Sequence, residues 1–216
     1  INLDDKNIDS NSFVNKKEIL NRKFISVNED KFDNLYPSLD DSEFNIKIAL
    51  KKEFNETKYD GTIFSVDEIE EQAKKLCEAD FELSPNQLFV RNFLSFQTPY
   101  NSLLLYHGLG SGKTCSAISV SEEMRDYLKQ LGITQRIIVV ASPNVQENFK
   151  LQLFDDRKLK LIDGLWNLRA CTGNKYLKEI NPMNMRGLSK EKVTKQIKRI
   201  INNSYLFLGY TEFANY

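Results

Sequence analysis

The chain has 216 residues, with 30 Lys+Arg balanced by 30 Asp+Glu to a formal net charge of zero, a balance that by itself argues against a nucleic-acid binder. Yet residues 1–86 carry 12 basic and 20 acidic side chains, net −8, whereas residues 87–216 carry 18 and 10, net +8. The longest apolar runs, residues 103–106 and 137–141, fall far short of the ~20 residues that span a bilayer, and the N-terminus shows no secretory signal.

Residues 1–62 are rich in Asn, Asp, Lys and Ser and read as a loosely ordered, acidic extension that wraps a partner or the following domain. Within it Phe44, Ile46, Ile48 and Leu50 alternate, which suggests a short strand. The first residue is Ile rather than Met, so a fragment or a processed product is expected. Ser65-Val-Asp-Glu68 is a capping box, and Ile69, Ala73, Leu76 and Cys77 recur at helical spacing over residues 66–78. Ser84-Pro85 starts a second helix with Leu88, Phe89, Phe93 and Leu94 on one face, ending near Gln97. Three cysteines, Cys77, Cys115 and Cys171, are an odd number without CxxC spacing. They imply neither a disulfide framework nor a zinc site, and point to a reducing, soluble, intracellular setting.

From residue 102 the pattern alternates. Residues 102–106 read as a short buried strand, and residues 112–130 as a helix with Ala117, Ile118, Met124 and Leu128 toward a core. Residues 136–141 read as a second strand, apolar and rich in β-branched side chains from Ile137 on, as a parallel sheet covered on both faces requires. Ser142-Pro143 opens a helix to about Phe154, a less regular basic stretch covers residues 155–188, and Ser189 caps a helix with Val193, Ile197, Ile200 and Ile201 as its apolar stripe. Residues 205–209 are a third strand. Alternating elements of this kind mean an α/β fold, a parallel sheet covered by helices with right-handed crossovers.

The most informative residues are Tyr106-His-Gly-Leu-Gly-Ser-Gly-Lys-Thr114, set between a predicted strand and a predicted helix. Gly108, Gly110 and Gly112, with Leu109 and Ser111 between them, let successive backbone amides point into one concavity at a helix N-terminus, where phosphate oxygens bind. Lys113 adds a point charge for the β- and γ-phosphates, and the Thr114 hydroxyl is placed to coordinate Mg²⁺. His107 stands where the strict GxxxxGK[ST] pattern has its first Gly; as the single histidine it is given no proton chemistry.

Three features select among phosphate-loop proteins. Gln87 lies 26 residues before Lys113, and its amide matches the N6/N7 edge of adenine. The second strand runs into Ser142-Pro143-Asn144 at a helix N-terminus, and the third ends in Gly209-Tyr-Thr-Glu-Phe213 at the same sheet edge. No guanine signature of the NKxD kind follows. Together with motif I at residues 107–114, Leu83-Ser-Pro-Asn-Gln87, Val139-Val-Ala-Ser-Pro-Asn144 and Phe207-Leu-Gly-Tyr-Thr-Glu-Phe213 resemble the glutamine motif, motif Ia and motif Ib of superfamily 2 helicases. The nearest likeness is to the helicase-like ATPases of large eukaryotic DNA viruses, such as the poxvirus transcription group. The resemblance covers roughly residues 79–216.

The resemblance implies that residues 63–216 are the first RecA-like ATP-binding domain, incomplete at its C-terminal end. Gln87 would read adenine, Lys113 and Thr114 would hold ATP and Mg²⁺, and Ser142, Asn144 and Thr211 would contact the nucleic-acid backbone, DNA ahead of RNA. It also implies viral RNA polymerase or a transcription-factor subunit as partners, with the virion and host cytoplasm as location. Bland readings stand beside these: Ser142 is a helix cap whatever it touches, and Gln87 can be a solvated helix residue. The DExH/D box expected after the third strand does not occur before Tyr216, so hydrolysis is expected to belong to a longer protein.

Between Lys150 and Arg199 stand 13 basic and 5 acidic residues, which form either a solvated face or an electrostatic track for a phosphate backbone. Trp166, Tyr176, Arg169 and Lys175 are candidate stacking groups, with Trp166 also a core candidate. Two functions follow: a nucleic-acid-dependent ATPase of viral transcription, or an assembly subunit that binds nucleotide without productive hydrolysis. A nucleotide kinase stands third, since no Arg-rich lid is visible.

Overall fold

A computed structural model of the chain describes residues 35–58, 65–78 and 81–216, and the reading of residues 1–34 lies outside it. Residues 44–50, expected as a strand, form helix Phe44–Leu50 (α1), followed by Lys52–Asn55 (α2). Of the alternating set Ile48 is buried, while Ile46 and Leu50 are exposed, so the alternation is not a burial pattern. Helix Val66–Glu78 (α3) falls where its capping box predicts, with Glu68 Oε2 accepting from the Ser65 amide at 2.8 Å.

Helix Pro85–Phe93 (α4) is shorter than expected, ending four residues before Gln97. Its Phe89 and Phe93 pack with Phe44, Phe54 and Tyr100, and the Phe93 and Tyr100 rings stack with centroids 4.4 Å apart. Fully burying a side chain such as Phe54 contributes roughly 1.5–3 kcal/mol. Polar bonds reinforce the contact: the Tyr100 hydroxyl donates to Pro37 O at 2.7 Å and Asn92 Nδ2 to Glu53 O at 2.8 Å. Residues 35–58, read from composition as loose, are thereby fastened to α4.

The rest is mixed α/β. In order come Lys113–Gln130 (α5), Ile137–Val140 (β1), Pro143–Leu153 (α6), Leu159–Ile162 (β2), Leu165–Leu168 (β3), Lys175–Ile180 (α7), Lys190–Ser204 (α8), Tyr205–Leu208 (β4) and Tyr210–Ala214 (α9). Strands β1 and β4 pair in parallel, from Ile137 opposite Tyr205 to Val140 opposite Leu208. Residues 102–106, expected as a buried strand, join no ladder among the described residues. Leu104 and Tyr106 are exposed, because a strand without a hydrogen-bonded neighbour has nothing to hold it in a sheet.

The stretch 155–188, expected to be irregular, instead contains the antiparallel hairpin β2–β3 and α7. Its turn is Asp163-Gly164 with both φ angles positive, the geometry that suits a two-residue hairpin. Tyr176 is fully buried and therefore offers no stacking surface. Trp166 is half-buried, its Nε1 donating to Leu188 O at 2.8 Å. Ile118, Leu153, Val193 and Ile197 form the centre of the core, with the α8 stripe buried as its spacing predicts.

Helix α5 departs from its predicted face. Ile118 and Leu128 are buried as expected, but Ala117 is exposed, and Ser116, Ser119, Glu122 and Arg125 go inside. Glu122, 4% exposed, accepts from Tyr205 at 2.6 Å and Tyr176 at 2.7 Å, and is bracketed by Arg125 at 2.9 Å and Lys175 at 3.1 Å. Arg125 continues to Glu179 at 2.9 Å, and Lys129 closes on the same carboxylate at 2.8 Å. Burial pushes the Glu122 carboxyl up, but Lys175, Arg125 and the two tyrosine hydroxyls outweigh it and hold it below the ordinary 4.5.

Contrary to the cysteine arithmetic, Cys115 and Cys171 form a disulfide, with Cα atoms 5.2 Å apart across 56 residues. The separation hides the pair in sequence; packing of the first turn of α5 against the segment after β3 brings it together.

Glu122→Ala is expected to cost about 3–5 kcal/mol in urea unfolding, since it strands buried cations. Because the folded carboxyl titrates below 4.5, its stabilisation is complete above that pH and is lost as pH falls through the folded value. Glu122→Gln should flatten that acid limb. Reducing the Cys115–Cys171 bond with a dithiol, or replacing both cysteines by Ser, should lower stability by up to about 4 kcal/mol on loop-closure grounds, read in the same titration.

Candidate functional site

Residues 107–112 form a loop that turns into α5. Gly110 and Gly112 hold φ values of +79° and +76°, which favour residues lacking a Cβ, and Gly112 is the N-cap of the helix. Lys113 Nζ donates to His107 O at 3.0 Å and to Gly108 O at 2.7 Å, while Ser111 Oγ donates to Gly108 O at 2.9 Å. The ammonium thus lies back over the loop, beside the N-terminus of an eighteen-residue helix. Leu109 projects fully into solvent, so it can offer the site only its backbone. Thr114 follows in the first turn, half-buried, with no side-chain hydrogen bond to another described residue. Glycine amides, a helix N-terminus, an ammonium and an uncommitted hydroxyl make a donor set that suits a triphosphate with a hard cation.

Gln87 is brought to this loop, but by its own route. It is buried; Oε1 accepts from the Ser84 amide at 3.0 Å and Nε2 donates to Gly112 O at 3.3 Å. The capping-box residue of α4 therefore fastens the last residue of the glycine loop. Gly112 has no room for more, since a Cβ there would collide with Gln87 Nε2. A cavity of about 300 Å³ borders the loop at His107, walled by Phe44, Phe54, Pro85 and Phe89. A larger cleft, about 850 Å³, lies between α4, α5 and residues 171–178, away from the loop.

The other predicted contacts gather at one edge of the β1–β4 pair. Ala141 N donates to Leu208 O at 3.1 Å, so the chain leaves both strands side by side into α6 and α9. Ser142 caps α6 in backbone conformation only; its side chain makes no cap hydrogen bond. Asn144 and Thr211 are exposed on the two helix starts. The Glu212 carboxylate takes the Gly209 amide at 2.7 Å, which removes one donor from this edge. Lys175, a candidate stacking partner by sequence, is spent on Glu122 and on Asp126 at 2.8 Å. The sequence signal of the hairpin is Ile162-Asp163-Gly164-Leu165, an Asp-Gly pair between apolar residues.

No protein-family model matches the chain, and no solved structure matches it. It is 26% identical over 182 residues to a protein of Acanthamoeba polyphaga mimivirus named as a candidate ATP-dependent RNA helicase, covering 82% of this chain and 14% of that protein. It is 30% identical over 130 residues to a named candidate helicase of Frog virus 3, covering 60% and 12% respectively. A second mimivirus protein named as a candidate ATP-dependent RNA helicase shares 50% identity over 50 residues, covering 23% and 6%. The chain thus spans between 6% and 14% of the length of these relatives. They are helicase-named proteins of large DNA viruses, the broad group that the motifs resemble.

Gly112→Ala is expected to displace Gln87 and strain a left-handed backbone position. The cost should be about 1–3 kcal/mol, measured as a fall in unfolding midpoint, larger than for Gly108→Ala, where a Cβ meets nothing within 4 Å.

Proposed function

We propose that the chain is the nucleotide-binding part of a nucleic-acid-dependent ATPase of the helicase kind, with residues 63–216 forming its first RecA-like domain. The observation that carries this reading is the Lys113 ammonium held over a glycine loop at the N-terminus of α5, 3.0 and 2.7 Å from the carbonyls of His107 and Gly108. Exchanging those carbonyls for phosphate oxygens lets Lys113 meet the β- and γ-phosphates, while the amides of residues 108–112 cradle them. Thr114 would hold Mg²⁺, which neutralises phosphate charge when bound. Gln87 keeps one amide hydrogen and one oxygen lone pair beyond its bonds to Gly112 and Ser84, enough for an adenine edge.

The nucleic-acid half of the reading places Ser142, Asn144 and Thr211 against a phosphate backbone at the two adjacent helix starts. The helicase names of the relatives favour nucleic acid over a small-molecule substrate. A role in viral transcription beside an RNA polymerase or transcription-factor subunit, in virion and host cytoplasm, belongs to the same proposal and rests on the motif resemblance. Among the described residues no helix is long and apolar enough to cross a membrane.

In the intact protein, Lys113→Ala should weaken ATP binding at least about 100-fold, about 2.7 kcal/mol, and abolish turnover stimulated by nucleic acid. Unchanged turnover in a steady-state phosphate-release assay would refute the assignment.

A further inference from the structure

We propose that the β2–β3 hairpin is a second nucleic-acid contact, a basic prong with aliphatic side chains beside its Asp163-Gly164 turn. Lys158, Lys160 and Arg186 would meet phosphates, and Leu161, Ile162 and Met185 would press against base faces. This rests on the nucleic-acid-dependent reading above and adds a surface distinct from the β1–β4 edge. Helix α6 separates the two: it runs eleven residues from Ser142 at that edge to Phe154 near the hairpin base, roughly 16 Å, or about five nucleotide steps of 3.4 Å.

The ribbon leaves the body almost at once. Leu159 and Leu168 at its base are buried in the core, but Leu161 and Ile162 are 58% and 49% exposed. Aliphatic side chains at the tip of a two-stranded ribbon gain nothing from water, and no described element covers them. The tip is also held in shape. Gly164 turns against the Arg186 side chain, and Trp166 Nε1 fixes Leu188 alongside β3. Asn181 exchanges two hydrogen bonds with the Met185 backbone at 2.8 and 2.9 Å, which sets Met185 and Arg186 beside the turn. A preformed surface costs less to bind than one ordered on contact.

Charge names the occupant. Several cations of the basic stretch are consumed internally: Arg157 by Asp155, Lys175 by Glu122 and Asp126, and Lys198 by Asp156. Lys158, Lys160 and Arg186 form no ion pair among the described residues. Exposed cations flanking aliphatic wedges fit a polyanion whose bases can be unstacked, with backbone contacts from the cations and wedges at the base steps.

The test uses the intact protein and labelled DNA and RNA oligonucleotides, with affinity read by fluorescence anisotropy across a salt series. Lys158→Gln/Lys160→Gln/Arg186→Gln should flatten the slope of log affinity against log salt by about 2–3, three phosphates at ~0.7–0.9 each. Leu161→Ser/Ile162→Ser should weaken binding roughly 10-fold with the slope kept, as loss of one or two base contacts predicts. Lys52→Gln, on an exposed side chain of α2, should change neither. Thermal melting close to wild type certifies each variant as folded. If wild type binds while the triple variant keeps the full slope, the prong is overturned as a nucleic-acid contact and the motor reading stands. A wild-type protein that binds neither oligonucleotide overturns both.

Discussion

The buried carboxylate of Glu122 is the constraint on which the arrangement of the α/β part depends. At 4% exposure it cannot be left to water, so a cation or hydroxyl must reach it from every element packed against it. Those groups come from α5, α7 and β4: Arg125, then Lys175 and Tyr176, then Tyr205. Satisfying them together fixes the rotation of α5 about its own axis. The same rotation decides where its first turn, and hence Lys113 and Thr114, is presented.

Much of this was legible in the chain, for identifiable reasons. The Ser-Pro starts at Ser84 and Ser142 and the Ser189 cap set helix starts within a residue, because capping and a proline at the first helical position act locally. The Val193–Ile197–Ile201 stripe and the strand 137–140 were equally plain. Long-range pairing was not legible. Glu122 and Arg125 had no place among the predicted core residues of this helix, because Lys175, Tyr176, Glu179 and Tyr205, which let them be buried, lie more than fifty residues on, and Cys115 and Cys171 hid in the same way. The alternation at Phe44–Leu50 misled because aromatic packing, not a sheet face, decides that segment.

The glycine loop and the helix start after it were legible in residues 107–114, but the place of Gln87 was only half visible. Sequence suggested a group aimed at a base; the structure displays a brace between the start of α4 and the last glycine of the loop. The basic half resolves similarly. Some of its cations hold the interior together and others face outward on the hairpin, a division that counting charges along the chain does not reveal.

The contacts to Glu122 also set an order of events in time. Its hydroxyl and ammonium partners stand 53, 54 and 83 residues downstream. At 5–20 residues per second, Tyr205 leaves the ribosome roughly 4–17 s after Glu122. Throughout that interval α5 can exist as a helix, yet its inward face stays open and its carboxylate stays hydrated. The glycine loop is therefore made early and aimed late, and β4, arriving long after it, is the strand that aims it.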